Sequence, residues 1–319
     1  MPVYNSSPFL REAIDSILNQ TFKDYEFVIL NDGSTDDSKE IILSYNDPRI
    51  VFYDGKQNAG LANIRNKGIE ISKGKYLAIM DSDDIAHPDR LQKQFDYLEN
   101  NKNIAVCGGF FNFFGNKNSI LNFNWVTETD PDMVKINLLF DGAICNPTAM
   151  IRSSALKDSG IKYEAHFDPS EDYKLWVTLS KNHAITNIPD NILKYRLSNN
   201  QTSNTKNQIQ RTRKFEIIKE QLSWLNIRPT EAEIRIHDYM FFASAILSYD
   251  YLPKIKAWIN KLTQANNKFK VYDEQKLSAY LNKLYARNEA SLKQALKNSS
   301  PKSLAMFYLK TALRWQSIR

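Results

Sequence analysis

Short apolar runs alternate with amphipathic stretches along the first hundred residues. The runs at residues 26–30, 50–53 and 77–80 have the length and composition of buried strands. The segments between them carry apolar residues at helical spacing. Ser6 or Ser7 with Pro8 is expected to begin the first helix, and Thr35, Asp36 and Asp37 are expected to lead into the second. This alternation predicts an α/β fold with a Rossmann-like, doubly wound and mostly parallel sheet.

The pattern changes from about residue 205 onward, where glycine is rare and Lys, Asn and Gln are frequent. Stretches at 215–224, 231–247, 251–262, 274–286 and 303–318 read as amphipathic helices. Pro229, Pro253 and Pro301 are expected to separate them. The sequence therefore predicts two domains, an α/β domain at 1–205 and a small, basic α-helical region at 206–319.

Charge is distributed unevenly over these two parts. The whole chain has a net charge of +6, but residues 251–319 hold 14 Lys or Arg against 3 Asp or Glu, which leaves 6 − 11 = −5 for the rest. A basic tail suits an anionic surface, and an acidic front suits a metal or a cationic group. No motif that reads nucleic acid is present, so we expect no nucleic-acid partner.

The spacing of the cysteines and the hydropathy of the chain indicate in which compartment the protein is expected. The two cysteines, Cys107 and Cys145, have neither disulfide-framework nor zinc-ligand spacing. No apolar stretch approaches the roughly 20 residues of a membrane span, and no signal-peptide pattern opens the chain. We therefore expect a cytoplasmic protein whose membrane contacts are peripheral.

The strongest chemical signal is an acidic turn directly after the 77–80 run. Asp81, Asp83 and Asp84 lie so close together that their charges repel. Two interpretations fit: the carboxylates cap a helix that Pro88 opens, or they bind a divalent cation.

Polar residues also follow the other predicted strands. These are Tyr4-Asn5, Asp32-Gly33 and Asn58. The carboxyl edge of a parallel sheet is where such folds bind nucleotides. The chain lacks both GxGxxG after its first strand and a P-loop, so a nucleotide here would be held through a metal and side chains.

A second acidic cluster lies at residues 168–176. Ser170 is expected to cap a helix that buries Trp176, with Glu171 and Asp172 in its first turn. Acidic residues at that position complement the helix dipole, which is an ordinary structural role. A catalytic role for the pair is the alternative.

Four motifs recur here in an order that is typical of one family. They are Met-Pro-Val-Tyr-Asn at 1–5, Asn-Asp-Gly-Ser-Thr-Asp at 31–36, Asn-Ala-Gly with Arg-Asn-Lys-Gly at 58–68, and Asp-Ser-Asp-Asp at 81–84. Over about residues 1–205 the chain resembles family 2 glycosyltransferases, whose fold is GT-A.

The resemblance implies a role for each matching residue. Asp83 would bind Mg²⁺ or Mn²⁺, and Asp172 would act as the general base. Arg65 would lie near the nucleotide, and Arg196 would neutralise phosphate, although Ser198 replaces a histidine that is common in the family and often helps to hold the metal or diphosphate. The expected nucleotide-sugar-binding residues are Pro2, Val3, Tyr4, Asn5, Asp32, Asn58, Arg65, Asp81, Ser82 and Arg196.

The start of the chain departs from the family pattern. Relatives carry several apolar and β-branched residues before the Pro-Val-Tyr-Asn element, and these form a central first strand. That strand is largely absent from this sequence. We expect either a start that lies further upstream or a sheet that lacks much of an inner strand.

The function implied by the resemblance is an inverting sugar transfer. The donor would be a nucleoside-diphosphate sugar, with UDP favoured, and the acceptor a glycan or lipid-linked glycan in polysaccharide, capsule or lipopolysaccharide synthesis. The helix at 303–318 would bring the cytoplasmic protein to the anionic inner face of the membrane, or its aromatic residues would pack on the catalytic domain instead.

Two alternatives belong to other functional classes. A sugar nucleotidyltransferase shares the α/β sheet and acidic metal site, but it would normally have a glycine-rich, basic phosphate loop near its start, which this sequence lacks. A non-catalytic carbohydrate-binding relative would be expected to lose the carboxylates, whereas Asp81, Asp83 and Asp172 are all present.

Overall fold

The computed structural model describes residues 1–115, 124–197, 207–242 and 251–298. The chain divides into two compact units, Met1–Ile217 and Ile218–Arg319. The boundary predicted at residue 205 falls outside the described ranges and stays a prediction.

Strands and helices alternate through the first unit, and the helices of the second are given for its described residues. The strands are β1 (Pro2–Val3), β2 (Phe27–Asn31), β3 (Ile50–Asp54), β4 (Tyr76–Ala78), β5 (Ile85–Ala86), β6 (Ile104–Phe114), β7 (Asn124–Trp125), β8 (Met150–Arg152) and β9 (Ala184–Arg196). The helices are α1 (Ser7–Leu18), α2 (Ser38–Leu43), α3 (Leu61–Ile71), α4 (Arg90–Asn100), α5 (Pro131–Leu138), α6 (Ser153–Lys157), α7 (Glu171–Ser180), α8 (Asn207–Trp224), α9 (Glu231–Phe242), α10 (Tyr251–Phe269) and α11 (Glu274–Asn298).

The first sheet is parallel, with the strand order β1-β2-β3. Its central strand β2 buries Ile29 completely, and α1 covers the sheet with Leu10 and Ile14, which are equally buried. Parallel strands joined by helices need apolar residues on both faces. The predicted parallel α/β arrangement is confirmed for this part of the chain.

The second sheet is mixed and runs in the order β4-β8-β6-β9-β5, with β7 paired to β6. β6 and β9 are parallel, whereas β8 is antiparallel to both β4 and β6. The apolar run at 77–80 is a strand only as far as Ala78. Among the described residues, β4 pairs with β8 and not with the first sheet.

A cavity of about 550 Å³ is lined by residues of both β2 and β4. Val28 and Leu30 come from β2, and Tyr76 and Leu77 come from β4. Met1 also lines it, and its amino group donates a hydrogen bond to the Val28 carbonyl at 2.9 Å. β3 pairs with the whole of β2 on one side, whereas the two residues of β1 pair only with Leu30 and Asn31 on the other.

The second unit is helical, and Ile234, Trp258 and Leu281 lie in its interior. Pro253 does not stand between two helices as predicted, because it is the third residue of α10. The helix predicted at 303–318 lies outside the described residues. Within the described part of the chain, every helix is too short or too polar to cross a membrane.

Candidate active site

The chain segment after β1 is held at the carboxyl edge of the first sheet. Pro2 and Val3 are buried in the strand itself, while Tyr4 is 48% exposed. Asn5 has a φ of 49°, a conformation that asparagine tolerates better than most residues, and its Oδ1 accepts a hydrogen bond from Thr35 N at 2.8 Å. Pro2 and Val3 therefore place Tyr4 and Asn5 at the edge.

Asp32 fixes the next loop along this edge. Its Oδ1 accepts a hydrogen bond from Ala59 N at 2.8 Å, and its Oδ2 accepts one from Gly60 N at 3.1 Å. Asn58, which is exposed, also accepts from Gly60 N through Oδ1. The Asp32 carboxylate, 3% exposed, thus holds the 58–60 loop in place.

Gly33 allows the same loop to approach closely. Its φ is +72°, and a Cβ there would stand 2.7 Å from the backbone of Gln57. Both the conformation and the lack of space favour glycine at this position.

The acidic turn that follows β4 contains three carboxylates in different surroundings. Asp81 and Asp83 are partly exposed, whereas Asp84 is 1% exposed and accepts a hydrogen bond from Arg196 N at 2.8 Å. Ser82 shares a hydrogen bond of 2.7 Å with the hydroxyl of Ser6, which links this turn to the segment after β1. Burial, with a smaller contribution from the Asp81 charge, raises the pKa of Asp83 to about 6.

Capping does not explain this turn. Strand β5 separates it from α4, and the N-cap residue of that helix is Asp89. The capping interpretation of the acidic turn is therefore wrong, and the cation site stays a prediction.

Arg196 lies at the end of β9 and anchors the same turn. Its Nε donates to the Asp83 carbonyl at 2.7 Å, and its guanidinium carbon lies 4.5 Å from the ring centroid of Phe9 and 4.4 Å from that of Phe114. An ion pair joins it to Glu12. Ser198 lies outside the described residues.

The residues around Asp83 fit a magnesium or manganese ion that shares its coordination with a substrate. Among the described residues, no cluster of three or more His, Cys, Asp or Glu side chains is arranged to hold a metal. Mg²⁺ is commonly bound by one or two carboxylates together with substrate phosphates and water. A desolvated carboxyl group such as Asp83 beside Asp81 suits that arrangement, because a cation offsets both the burial and the repulsion.

The second acidic cluster is joined to this turn through one buried arginine. Arg65, 7% exposed in α3, donates from Nη1 to Glu171 Oε1 at 2.6 Å and from Nη2 to Asp81 Oδ1 at 3.1 Å. Glu171 is the first residue of α7, and Asp172 follows it. The bridge therefore brings the start of α7 to the carboxyl end of β4.

Ser170 is the N-cap residue of α7, but its side chain does not cap the helix. Its φ of −125° and ψ of 24° lie outside the extended region that N-cap residues usually adopt, and its hydroxyl instead donates to the Gln210 carbonyl at 3.4 Å. The capping hydrogen bond expected from the sequence is therefore wrong.

Glu171 and Asp172 have different environments although they are neighbours. Glu171 is 3% exposed, and burial raises its pKa to about 7 although Arg65 opposes that shift. Asp172 is partly exposed, and its Oδ1 accepts a hydrogen bond from Tyr173 N at 2.7 Å. Burial also raises the pKa of Asp172, and the Arg65 charge lowers it.

Three residues of this cluster were not singled out as site residues from the sequence. Glu171 pairs with Arg65, Tyr163 places its ring 5.4 Å from the Arg65 guanidinium carbon, and Asn146 accepts a hydrogen bond from the Tyr163 hydroxyl at 3.1 Å. The sequence signal for Glu171 was its position beside Asp172. Tyr163 and Asn146 carry no such signal, because their contacts form only in the folded chain.

Comparison with protein families and relatives gives one consistent result. The family model described as "Glycosyl transferase family 2" matches residues 1–160. An uncharacterized glycosyltransferase of Methanocaldococcus jannaschii is 35% identical over 209 residues, which cover 62% of this chain and 70% of the relative. An uncharacterized glycosyltransferase of Haemophilus influenzae is 32% identical over 230 residues, which cover 69% of this chain and 71% of the relative.

Solved structures show a similar fold at low sequence identity. S. aureus TarS in complex with UDP-GlcNAc has a TM-score of 0.56 and 19% identity, and the match covers 91% of this chain and 87% of that chain. The mannosyltransferase PcManGT from Pyrobaculum calidifontis, in complex with GDP-Man and Mn²⁺, has a TM-score of 0.52 and 13% identity, covering 98% of this chain and 78% of that chain.

Proposed function

This chain belongs to glycosyl transferase family 2 and has the GT-A fold that the sequence motifs predicted, and from that premise we propose an inverting transfer from a nucleoside-diphosphate sugar to an acceptor hydroxyl. The observation that carries the proposal is the Arg65 bridge between Asp81 and Glu171. It supports the proposal because Asp81 belongs to the turn proposed to hold the donor, and Glu171 directly precedes Asp172, the proposed base.

Asp172 is the residue we assign to proton transfer. Its carboxylate takes the proton from the acceptor hydroxyl while that oxygen bonds to the anomeric carbon. The bond from the anomeric carbon to the diphosphate oxygen breaks in the same step, and the nucleoside diphosphate leaves. Attack from the side opposite the leaving group inverts the configuration, and the reaction needs no covalent enzyme intermediate.

The donor would lie along the carboxyl edge of the first sheet. Tyr4, Asn5 and Asp32 are assigned to the base and ribose, and Asp81 to the ribose. Tyr4 supports this assignment because its exposed ring offers a surface on which a base can stack. We propose a uridine nucleotide, in keeping with the UDP-GlcNAc in the TarS structure.

The diphosphate would lie beside the acidic turn. Asp83 is assigned to Mg²⁺ or Mn²⁺, a cation that, when bound, stabilises negative charge on the departing diphosphate. Mn²⁺ accompanies GDP-Man in the PcManGT structure. The hydrogen bond from Arg196 to the Asp83 carbonyl keeps the acidic turn in shape. The positive charge of Arg196 therefore lies beside the turn where the diphosphate is proposed to bind.

The acceptor is proposed to be a glycan or lipid-linked glycan of a surface polysaccharide, capsule or lipopolysaccharide. We also propose that the protein works in the cytoplasm and binds the inner face of the membrane peripherally through its basic C-terminal part. The +11 charge of residues 251–319 supports this location.

An assay of the purified protein with a panel of nucleotide sugars, simple glycan acceptors and Mn²⁺ tests the proposal. We expect release of nucleoside diphosphate that depends on the acceptor, and NMR of the product should show the inverted anomeric configuration. Release of pyrophosphate from a sugar phosphate and a nucleoside triphosphate would indicate a nucleotidyltransferase instead. Sugar binding with neither release would indicate a non-catalytic protein.

A further inference from the structure

Trp125 and Val126 form an exposed apolar patch, here called the Trp125 patch, which the transfer mechanism does not use. Trp125 keeps 46% of its surface exposed and Val126 keeps 65%. Two adjacent apolar residues of this size leave a continuous apolar area in contact with water, and such areas often mark binding sites. Exposure alone does not give the patch a role, since single exposed apolar residues are common.

The second sheet fixes the orientation of the Trp125 ring. Trp125 in β7 lies opposite Phe111 in β6, and the two rings stack with centroids 5.9 Å apart and an interplanar angle of 15°. Phe113, two residues further along β6, meets the indole edge-on with centroids 6.4 Å apart. Because Phe111 is buried, one face of the indole rests on the core of the protein.

The same group of aromatic rings reaches the acidic turn. Tyr195 in β9 lies 5.4 Å from Phe111 between ring centroids. The residue after it is Arg196, whose Nε donates to the Asp83 carbonyl at 2.7 Å. A continuous set of contacts therefore joins Trp125 to the turn that is assigned to the cation.

The segment that follows the patch leads to the other side of the proposed site. The hydroxyl of Thr127 donates to the Ala143 carbonyl at 3.3 Å. The loop after Ala143 contains Asn146, which accepts from the Tyr163 hydroxyl, and the Tyr163 ring covers the guanidinium of Arg65. Arg65 pairs with the first residue of α7. Contacts thus connect the patch both to the acidic turn and to the helix that carries the proposed base.

A sugar ring is the ligand whose chemistry fits the Trp125 patch. On one face of a pyranose the C–H groups form an apolar surface, while the hydroxyls project from the rim. The face of an indole carries partial negative charge and is flat and apolar, so it attracts such C–H groups. The donor is assigned to the first sheet and the acidic turn, whereas Trp125 belongs to the second sheet, so the acceptor sugar is the partner for which the patch is available.

We propose that Trp125 binds the acceptor sugar, which stacks a C–H face of its ring on the indole while one of its hydroxyls meets Asp172. Val126 extends the apolar surface under the same sugar. The inference rests on the proposed transfer reaction and narrows it, because the acceptor must then be a saccharide, free or lipid-linked, with an unsubstituted ring face.

Steady-state kinetics separates acceptor binding from donor binding. With the acceptor that the nucleotide-sugar assay identifies, Trp125→Ala should raise the acceptor KM by on the order of tenfold, as the loss of one aromatic stacking contact would. The donor KM and kcat at saturating acceptor should change little. Trp125→Phe keeps an aromatic ring and should raise the acceptor KM less. An unchanged acceptor KM in Trp125→Ala, or a rise in the donor KM alone, overturns the proposal.

Phe269→Ala is the matched control. Phe269 is also an exposed aromatic residue, but it lies in the second unit. Its loss should leave both KM values unchanged, and a rise in the acceptor KM equal to that of Trp125→Ala would contradict a specific role for Trp125. Sedimentation velocity tests the other possible occupant, a second copy of the chain. A changed oligomeric state of Trp125→Ala with an unchanged acceptor KM would assign the patch to a contact between copies and overturn the proposal.

The indole N–H signals in NMR spectra report sugar binding without turnover. The chain has five tryptophans, and the Trp125 signal is identified by its absence from Trp125→Phe. Titration of the wild-type protein with methyl glycosides of glucose, galactose, mannose and N-acetylglucosamine should shift this signal, while those of Trp176 and Trp258, which are buried, stay in place.

This titration keeps the inference separate from the reaction on which it rests. A selective shift of the Trp125 signal supports a sugar site there even if no sugar transfer is found, a result that would remove the reaction alone. Should Trp125→Ala not fold, the titration of the wild-type protein decides by itself. If none of the glycosides shifts the Trp125 signal, the proposal is wrong.

Discussion

Asp172 and Glu171 both carry a carboxyl group but differ in exposure, and this difference decides which of them is proposed as the base. Glu171 is buried against Arg65, whereas Asp172 is partly exposed and reaches the surface of the site. A general base must meet its substrate, so the exposed member of the pair is the candidate.

Asp172→Asn tests that assignment because asparagine keeps the shape and removes the basicity. We expect kcat to fall by about 10²–10⁴ with little change in donor affinity. Steady-state kinetics and calorimetric titration with UDP measure the two quantities. Asp158→Asn, at an exposed turn, is the control and should keep full activity. Retained turnover in Asp172→Asn would remove Asp172 from the mechanism.

Asp83→Ala tests the proposed cation site. Wild-type protein should bind UDP more tightly with Mn²⁺ than without it, and the variant should bind equally in both conditions, because its carboxylate ligand is gone. Asp84→Asn is an informative contrast, since Asp84 accepts the Arg196 backbone amide and is buried. It should lower stability while leaving the Mn²⁺ effect in place. If Asp83→Ala shows the wild-type difference, the metal lies elsewhere.

The pKa of the Met1 amino group leads to another testable prediction. The amino group is buried against Val28, and burial lowers its pKa from 8.0 to about 5. The unfolded chain therefore binds more protons than the folded chain between pH 5 and 8, so stability should rise with pH across that window. Three pKa units correspond to about 4 kcal/mol, present in full as a cost below pH 5 and absent above pH 8.

Acetylation of the Met1 amino group removes this titration and keeps an N–H donor for Val28. We expect the melting temperature of acetylated protein to exceed that of unmodified protein by an amount that grows as the pH falls from 8 to 5. Calorimetry at several pH values measures the difference. A constant difference across the window would contradict burial of a neutral amine.

At the level of elements, the sequence predicted most strands and helices because their apolar spacing is local. The run at residues 50–53 lies in β3, and the helix with Asp172 in its first turn is α7. The division of the strands into two sheets could not be predicted from the sequence, because the run at 77–80 has the pattern of a buried strand whichever strand it pairs with. The ion pair between Arg65 and Glu171 could not be predicted either, because the two residues lie 106 positions apart in the sequence and meet only in the folded chain.

The cavity between β2 and β4 leads to a prediction about the gap between the two sheets. An extended segment of four residues spans about 13 Å and exposes both of its backbone edges to neighbouring strands. Val-Ile-Val-Ile fused ahead of Met1 should enter the cavity of about 550 Å³, bury apolar side chains and replace the buried amino group by a peptide N–H. We expect stabilisation of several kcal/mol, since each buried Val or Ile contributes about 1.5–3 kcal/mol.

A Gly-Ser-Gly-Ser extension of equal length is the matched control. It also replaces the amino group beside Val28 by a peptide N–H but supplies no apolar side chain. Urea unfolding of the two fusions and of the unextended chain measures the effect. Equal midpoints for both fusions would show that the cavity does not accept a strand, and any gain would then come from replacing the buried amino group.

At the scale of the whole molecule, charge is the property that distinguishes the two ends of the chain. Residues 251–319 carry +11 and the rest carries −5. An anionic membrane attracts a basic segment with about 1 kcal/mol for each Lys or Arg near its surface. The acidic part of the chain would be repelled, so we expect any membrane contact to be made by the basic end.

Vesicle co-sedimentation of the full-length protein tests this proposal. We expect binding to anionic vesicles that is lost at high salt, and no binding to neutral ones, because the attraction is electrostatic and screened within about 10 Å at 0.1 M salt. One variant replaces four basic residues of the tail by glutamine, namely Lys302, Lys310, Arg314 and Arg319. A control variant replaces four exposed lysines of the first unit, namely Lys23, Lys56, Lys162 and Lys181. The two variants lose the same net charge, so weaker binding of the tail variant alone locates the contact in the tail, and equal binding by both would place it elsewhere or exclude it.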